Sequence, residues 1–242
     1  MSRPRPRSSI AAALAAATAL IPAVTAWAFP PYRSTDAETA EPLVLEARLG
    51  LLRLRRAEST NSYSVPLLRL NYGLPGNLEI VTEGEFDASE GKVADAAAGI
   101  KWVPWAGTVS FGIEALVLLP VSSEGGAGSE TQALMTARLL KTLLHLNAGG
   151  IYDTRPAETE KGWRASALGE APLGRWRPGL ELFTRQFQGS DLEALAGAGV
   201  IVGLGPMDVR LGAHIGLTDQ APDLVLNLWI ASKLRTGRED SP

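Results

Sequence analysis

Between Leu43 and Leu234 the chain alternates polar and apolar residues in short runs, and this period of two constrains the fold more than any other feature. Val109, Phe111, Ile113, Ala115 and Val117 alternate with Ser110, Gly112 and Glu114. Val209, Leu211, Ala213, Ile215 and Leu217 alternate with Arg210, Gly212, His214 and Gly216, and Leu78, Ile80, Thr82 and Phe86 with Glu79, Val81, Glu83 and Glu85. Successive strand side chains point to opposite faces, so such runs are strands between two different media. The pattern predicts twelve of them, at 43–54, 62–73, 77–86, 93–103, 109–119, 131–139, 143–152, 162–171, 177–187, 192–203, 208–218 and 223–234. Each is close to the roughly 9–11 residues that a tilted membrane-crossing strand needs.

The connections are expected to alternate between two kinds. Leu74–Asn77, Pro104–Thr108, Leu140–Thr142, Pro172–Trp176 and Leu204–Met207 are short and carry residues suited to tight turns. The others are mostly longer and more polar, including Pro120–Glu130 and Asp153–Lys161, which are expected to control access. Short turns on one rim and long loops on the other characterise outer-membrane barrels, with the turns facing the periplasm. The expected fold is therefore all-β, a transmembrane antiparallel up-and-down β-barrel of about 12 strands.

A soluble ligand-binding barrel has the same period with its polarity reversed. Two features point to an apolar exterior. Glycines recur on the polar face (Gly50, Gly73, Gly99, Gly112, Gly149, Gly199, Gly212), as suits a crowded concave interior. Aromatics collect at strand ends: Tyr72, Trp102, Trp105 and Trp176 near the turns, and Tyr63, Phe86, Tyr152, Trp163 and Phe187 near the loops. Paired girdles place amphipathic rings at the two bilayer interfaces.

The N-terminus reads as a secretory leader. Arg3, Arg5 and Arg7 precede an apolar stretch from Ile10 to Val24, and Ala26-Trp27-Ala28 supplies a small-x-small cleavage signal. The expected division is a signal peptide over 1–28, a periplasmic segment over 29–42, the barrel over 43–234 and a polar tail over 235–242. The leader holds three of the 23 basic residues and none of the 26 acidic ones, so the remainder is more acidic, at net −6. That mild, dispersed charge does not suit nucleic-acid binding. The absence of cysteine excludes disulfides and thiolate metal sites.

Several segments resemble the meta-pathway phenol-degradation family of predicted outer-membrane transporters: Pro30–Thr39, Leu68–Pro75, Ala97–Pro104, Asn147–Gly150 and Leu217–Asp223. The resemblance spans nearly the whole mature chain and implies an outer-membrane barrel whose segments are structural rather than catalytic. One departure lies at the end, where Leu228-Trp229-Ile230 sits within the last strand and a polar tail replaces the terminal aromatic residue that the assembly machinery recognises.

Candidate lumen residues are the polar members of the alternation: Glu46, Arg48, Arg69, Glu79, Glu83, Glu85, Asp95, Lys101, Glu114, Arg138, His145, Arg164, Glu181, Arg185, Arg210, His214 and Lys233, with Asn71, Asn147 and Asn227. A hairpin centred on Gly76 sets Arg69 opposite Glu83, and one centred between Gly107 and Thr108 sets Lys101 opposite Glu114. Interleaved signs are read either as a salt-bridged filling or as a pore lining that selects by charge. Neither His145 nor His214 has a nearby serine to complete a hydrolase constellation, no Gly-x-Ser-x-Gly elbow occurs, and two isolated histidines make a poor metal site. Gly197-Ala198-Gly199 lacks the helix and spacing of a dinucleotide loop, and Gly125–Gly128 lacks the lysine of a phosphate cradle.

These readings lead to an exported monomer surrounded by outer-membrane lipid, with no cofactor and no enzymatic role, passing an unidentified small solute passively through a narrow charged lumen. The alternatives are a closed structural barrel and, more distantly, an outer-membrane hydrolase.

Overall fold

The computed structural model describes residues 30–58, 60–121 and 125–237. The leader and Phe29 lie outside them, as does the end of the tail. Twelve strands follow in order: β1 (Val44–Ala57), β2 (Thr60–Leu74), β3 (Leu78–Asp87), β4 (Lys92–Trp105), β5 (Val109–Leu118), β6 (Gly128–Leu139), β7 (Thr142–Asp153), β8 (Glu160–Glu170), β9 (Trp176–Phe187), β10 (Glu193–Leu204), β11 (Met207–Gly216) and β12 (Leu224–Arg235). Each pairs with its chain neighbours, and β1 closes on β12 in antiparallel register from Val44↔Arg235 to Arg56↔Leu224. Closure removes the free edges that a hydrocarbon environment would leave unsatisfied.

The expected strands are present, but the strict alternation of loop lengths fails at β1–β2. Pairing continues to Ala57↔Thr60, and Glu58 turns the chain at φ +50°. No proline or glycine interrupts Arg53–Thr60, so the hairpin extends where a loop was expected. Pro66 and Pro104, which cannot donate to a ladder, fall at register shifts in β2 and β4. The loops after β5 and β7 are joined, with Gly126 N donating to Thr154 O and Thr154 N to Ala127 O, each at 3.2 Å. Arg235, expected in the tail, completes β12, and Thr236 N donates to Leu43 O at 2.9 Å.

The apolar face is outside. Ile100, Phe111, Val117, Leu180, Leu211 and Ile215 are exposed, whereas Glu46, Arg69, Lys101, Glu114, Arg210 and His214 are almost completely buried. Trp102, Trp105 and Trp176 project outward near the turn rim, and Tyr63, Phe86, Tyr152 and Trp163 near the loop rim. Leu211 stands midway along β11, between Val200 and Leu228. Leu211→Arg should therefore destabilise the folded barrel in lipid by about 2–4 kcal/mol, the cost of a cation near the bilayer midplane. Urea unfolding in lipid vesicles measures this, and a cost near zero would place the residue away from hydrocarbon.

The interior is less uniformly polar than expected. Val81, Ala97, Leu116 and Leu118 form an apolar cluster on β3–β5, and Phe183 and Leu195 pack with Ala221 of the β11–β12 loop. Trp229 also points inward and is buried.

Candidate functional site

The largest departure from the sequence reading concerns the segment before β1. Expected outside the barrel, residues 30–41 instead cross the lumen near the turn rim, where Tyr32, Ser34, Thr35, Asp36, Ala37 and Ala40 are buried. Its irregular backbone finds partners on the inner wall, which satisfies polar groups that the strands cannot. Arg33 N and Ser34 N donate to the Glu181 carboxylate at 2.9 and 2.6 Å, and Ser34 Oγ does so at 2.6 Å. Thr35 N donates to Asn147 Oδ1 at 2.9 Å, Ala37 N to Thr136 Oγ1 at 2.8 Å and Ala40 N to Glu79 Oε2 at 2.6 Å.

Inward glycines make room for this crossing. Gly179, Gly199 and Gly212 lie directly opposite one another on β9, β10 and β11. A Cβ on Gly179 would stand 2.6 Å from the Tyr32 hydroxyl, one on Gly199 2.8 Å from the Tyr32 ring, and one on Gly212 2.9 Å from Pro31. The Tyr32 ring then packs against Leu168 and Ile201. The glycine-rich face is thus explained in part by a second layer of chain lying on it.

Charges fix the far end of the segment. Lys101 Nζ donates to Asp36 Oδ1 at 3.1 Å and to Glu38 O at 2.8 Å, and lies 3.6 Å from Glu79 Oε1. Burial alone would raise the Asp36 carboxyl, but the Lys101 ammonium overrides it and holds the group below the usual carboxylate range. Arg138 pairs with Glu38 and also donates to Gly107 O at 2.8 Å.

The candidate residues assemble into several networks. Both expected registers occur, Arg69↔Glu83 and Lys101↔Glu114. Arg69 pairs with Glu83 and also with Glu114 at 2.7 Å, while Lys101 holds the segment. Gln132 Nε2 donates to Glu114 at 3.0 Å, and Asn71 donates to Glu79. Arg48 pairs with Glu46 at 3.0 Å, and Lys233 lies 3.6 Å from the same carboxylate. Arg164 meets Glu130 at 2.6 Å and Arg33 O at 2.8 Å. Arg185 meets Glu193 at 2.6 Å, and Glu85 meets Arg53, which also donates to Asn227 at 3.1 Å. Arg210 bonds Pro30 O at 3.0 Å and pairs with Asp208 at 3.1 Å. Asp95, exposed near the loop rim, meets Arg155 at 2.6 Å.

Both histidines are fully buried. His214 Nε2 lies 2.7 Å from Glu181 Oε2, beneath the segment. His145 stands between Thr136 Oγ1 at 2.9 Å and Glu170 Oε2 at 3.1 Å, and Glu170 also faces Arg177 at 3.2 Å. This hydroxyl–imidazole–carboxylate line resembles a catalytic relay. However, Thr136 is completely buried and already accepts the Ala37 N–H, so the hydroxyl meets the segment rather than a substrate. Among the described residues no group of three or more His, Asp and Glu is arranged to hold a metal ion.

The segment separates two cavities. One, of about 200 Å³, opens between the segment and the loop rim and is lined by Arg33, Thr35, Arg53, Glu85, Gln132, Trp229 and their neighbours. The other, of about 490 Å³, lies at the turn rim and is lined by Ala37, Glu38, Thr39, Ser110 and Arg138 among others. Thr35 touches the first and Ala37 the second, and Asp36 with its Lys101 partner stands between them. The segment could not be recognised from the alternation, because it is not a strand. Ser34-Thr35-Asp36 gives no local signal of burial, because such residues are mostly exposed in folded proteins.

Comparison with solved structures places this architecture among outer-membrane barrels. An outer membrane channel from Pseudomonas putida F1 superposes with a TM-score of 0.62 at 12% identity, over 82% of this chain and 98% of that one. The NanC porin superposes with a TM-score of 0.60 at 10% identity, over 78% of this chain and all of the other. No protein family and no curated protein matches the sequence.

Proposed function

We propose that this chain is an outer-membrane channel for small solutes, of the kind the meta-pathway phenol-degradation family represents, and that its own N-terminal segment closes it at rest. The observation that carries this reading is the Pro30–Glu41 crossing, which divides a charged lumen into two cavities. An apolar exterior with aromatic residues at both rims supports a bilayer location. The turn rim faces the periplasm, the chain acts as a monomer, and the paired lumen charges set field and width around the solute's path.

Segment and wall are held together mainly by hydrogen bonds and ion pairs that water can replace, together with packing of the Tyr32 ring on Leu168 and Ile201. The segment is therefore a removable obstruction within a rigid ring. A closed structural barrel is the second reading, favoured by the extent of charge pairing around Arg69, Glu114 and Lys101.

Planar-bilayer recording of the refolded mature chain tests the proposal. The expected result is a mostly closed barrel with brief discrete openings. Discrete openings absent from both this chain and a variant lacking the segment would leave the structural reading.

A further inference from the structure

The cavity on the loop side of the segment has an unmatched donor. The Arg33 guanidinium lines this cavity and stacks on Phe183 with its carbon 4.8 Å from the ring centre. Among the described residues its guanidinium meets no carboxylate or carbonyl oxygen, whereas Glu130 is paired with Arg164, Glu85 with Arg53 and Glu193 with Arg185, and Glu181 is held by His214 and by the Arg33 and Ser34 N–H groups. Burial pushes the Arg33 guanidinium down to about 9, and Arg53, Arg185 and Arg55 push it the same way against the opposing pull of Glu193. The same wall carries Glu83, Glu85, Asp95, Glu114 and Glu130, each paired with another arginine, so Arg33 is, among the described residues, the cation left there without a carboxylate.

Two further buried donors belong to residues lining the same cavity and are unused, as is one acceptor there, Gln132 Oε1. Trp229 Nε1 has no hydrogen-bond partner, and Trp229 is 3% exposed and lines the same cavity. Arg185 Nε, on another lining residue, is likewise unpartnered. Buried N–H groups seldom lack an acceptor, and an anionic oxygen satisfies several at once.

We infer that this cavity binds a small organic carboxylate, with Arg33 as its principal ligand and Trp229 and Arg185 as supporting donors. The inference rests on the channel reading for its purpose, since the cavity then lies on the solute's way to the segment. Arginine suits this task because its planar fork matches a carboxylate with two parallel hydrogen bonds. The site also carries a consequence for closure, because Arg33 belongs to the obstructing segment and a bound carboxylate would act directly on it.

The test measures binding without requiring conduction. Line broadening of the acetate proton resonance is followed on adding the folded full-length mature barrel in deuterated detergent, with methylammonium as the cationic control. The expected result is saturable broadening of acetate but not of methylammonium. Affinity should fall about ten- to hundredfold in Arg33→Gln, as expected for losing a charge-assisted pair, and less in Arg185→Gln. Arg56→Gln, on the exposed end of β1, should leave acetate binding unchanged. Equal acetate affinity in the parent and Arg33→Gln, or no saturable binding in the parent, overturns the site. If Arg33→Gln does not fold, as judged by heat-modifiable gel mobility, the comparison of Trp229→Phe with the parent decides: a weaker acetate affinity supports the site and an unchanged one overturns it. A barrel that binds acetate yet never conducts keeps the site and removes the channel, whereas one that conducts without binding does the reverse.

Discussion

Removing residues 31–40 from the mature chain should turn a mostly closed barrel into one with frequent, larger conductance steps. The segment's bonds to Glu181, Asn147, Thr136, Glu79 and Lys101 span β9, β7, β6, β3 and β4, so its removal clears the crossing from one side of the ring to the other. A milder version uses Gly212→Val. The three atoms nearest an added Cβ at that position all belong to Pro31, the closest at 2.9 Å, so the added bulk bears first on the segment and displaces it. Overpacking of this kind costs about 1–3 kcal/mol. At 1.4 kcal/mol per tenfold, the undocked fraction should rise roughly five- to 150-fold. Single-channel open probability measures both variants. If neither differs from the parent, the segment is not the obstruction.

The second large effect belongs to Lys101. Its ammonium is buried beside Asp36 and Glu79, and the Lys101→Met variant leaves those carboxylates in the same volume without their shared cation. Breaking one partner of a buried pair costs about 3–5 kcal/mol. Urea unfolding at neutral pH should show a deficit of that size. The sign of its pH dependence follows from Asp36, whose carboxyl Lys101 holds below its ordinary range. Stability from that pair is present above the unfolded carboxylate value and is lost as pH falls, so the deficit should narrow in acid. A deficit under about 1 kcal/mol that is flat with pH would mean that the Lys101 cluster does not stabilise the ring.

The barrel wall was legible in the sequence because its information is local. Alternation in β5 and β11 assigns each residue to a face, and the turns at Gly76 and Gly205 fix the registers of the hairpins they close. The register of Arg69 with Glu83 follows from counting outward from such a turn. Partner choice within the lumen was not legible. Lys101 sits opposite Glu114 as counted, yet the Asp36 carboxylate claims it, because a buried cation takes the partners that satisfy it best in three dimensions. The tightness of the β1–β2 connection was not legible, because Glu58 turns the chain without the glycine or asparagine usual at positive φ. The crossing segment was missed because nothing between Pro30 and Glu41 repeats. Its position is determined by side chains far off in the sequence, such as Glu79, 39 residues away, and Arg210, 180 residues away.

Those separations also bear on how the molecule comes into being. Hairpins of neighbouring strands close short loops, whereas the segment's partners lie on strands spread around more than half of the ring. Closing such long loops is entropically expensive until the wall exists to receive the chain. The glycine row of β9–β11 becomes a seat for Pro31 and Tyr32 only once those strands are in register, and Glu79 and Lys101 must be carried round to face it. Docking of the segment is therefore a late event in assembly, and the newly inserted barrel passes through an interval in which it is closed as a ring but open as a conduit.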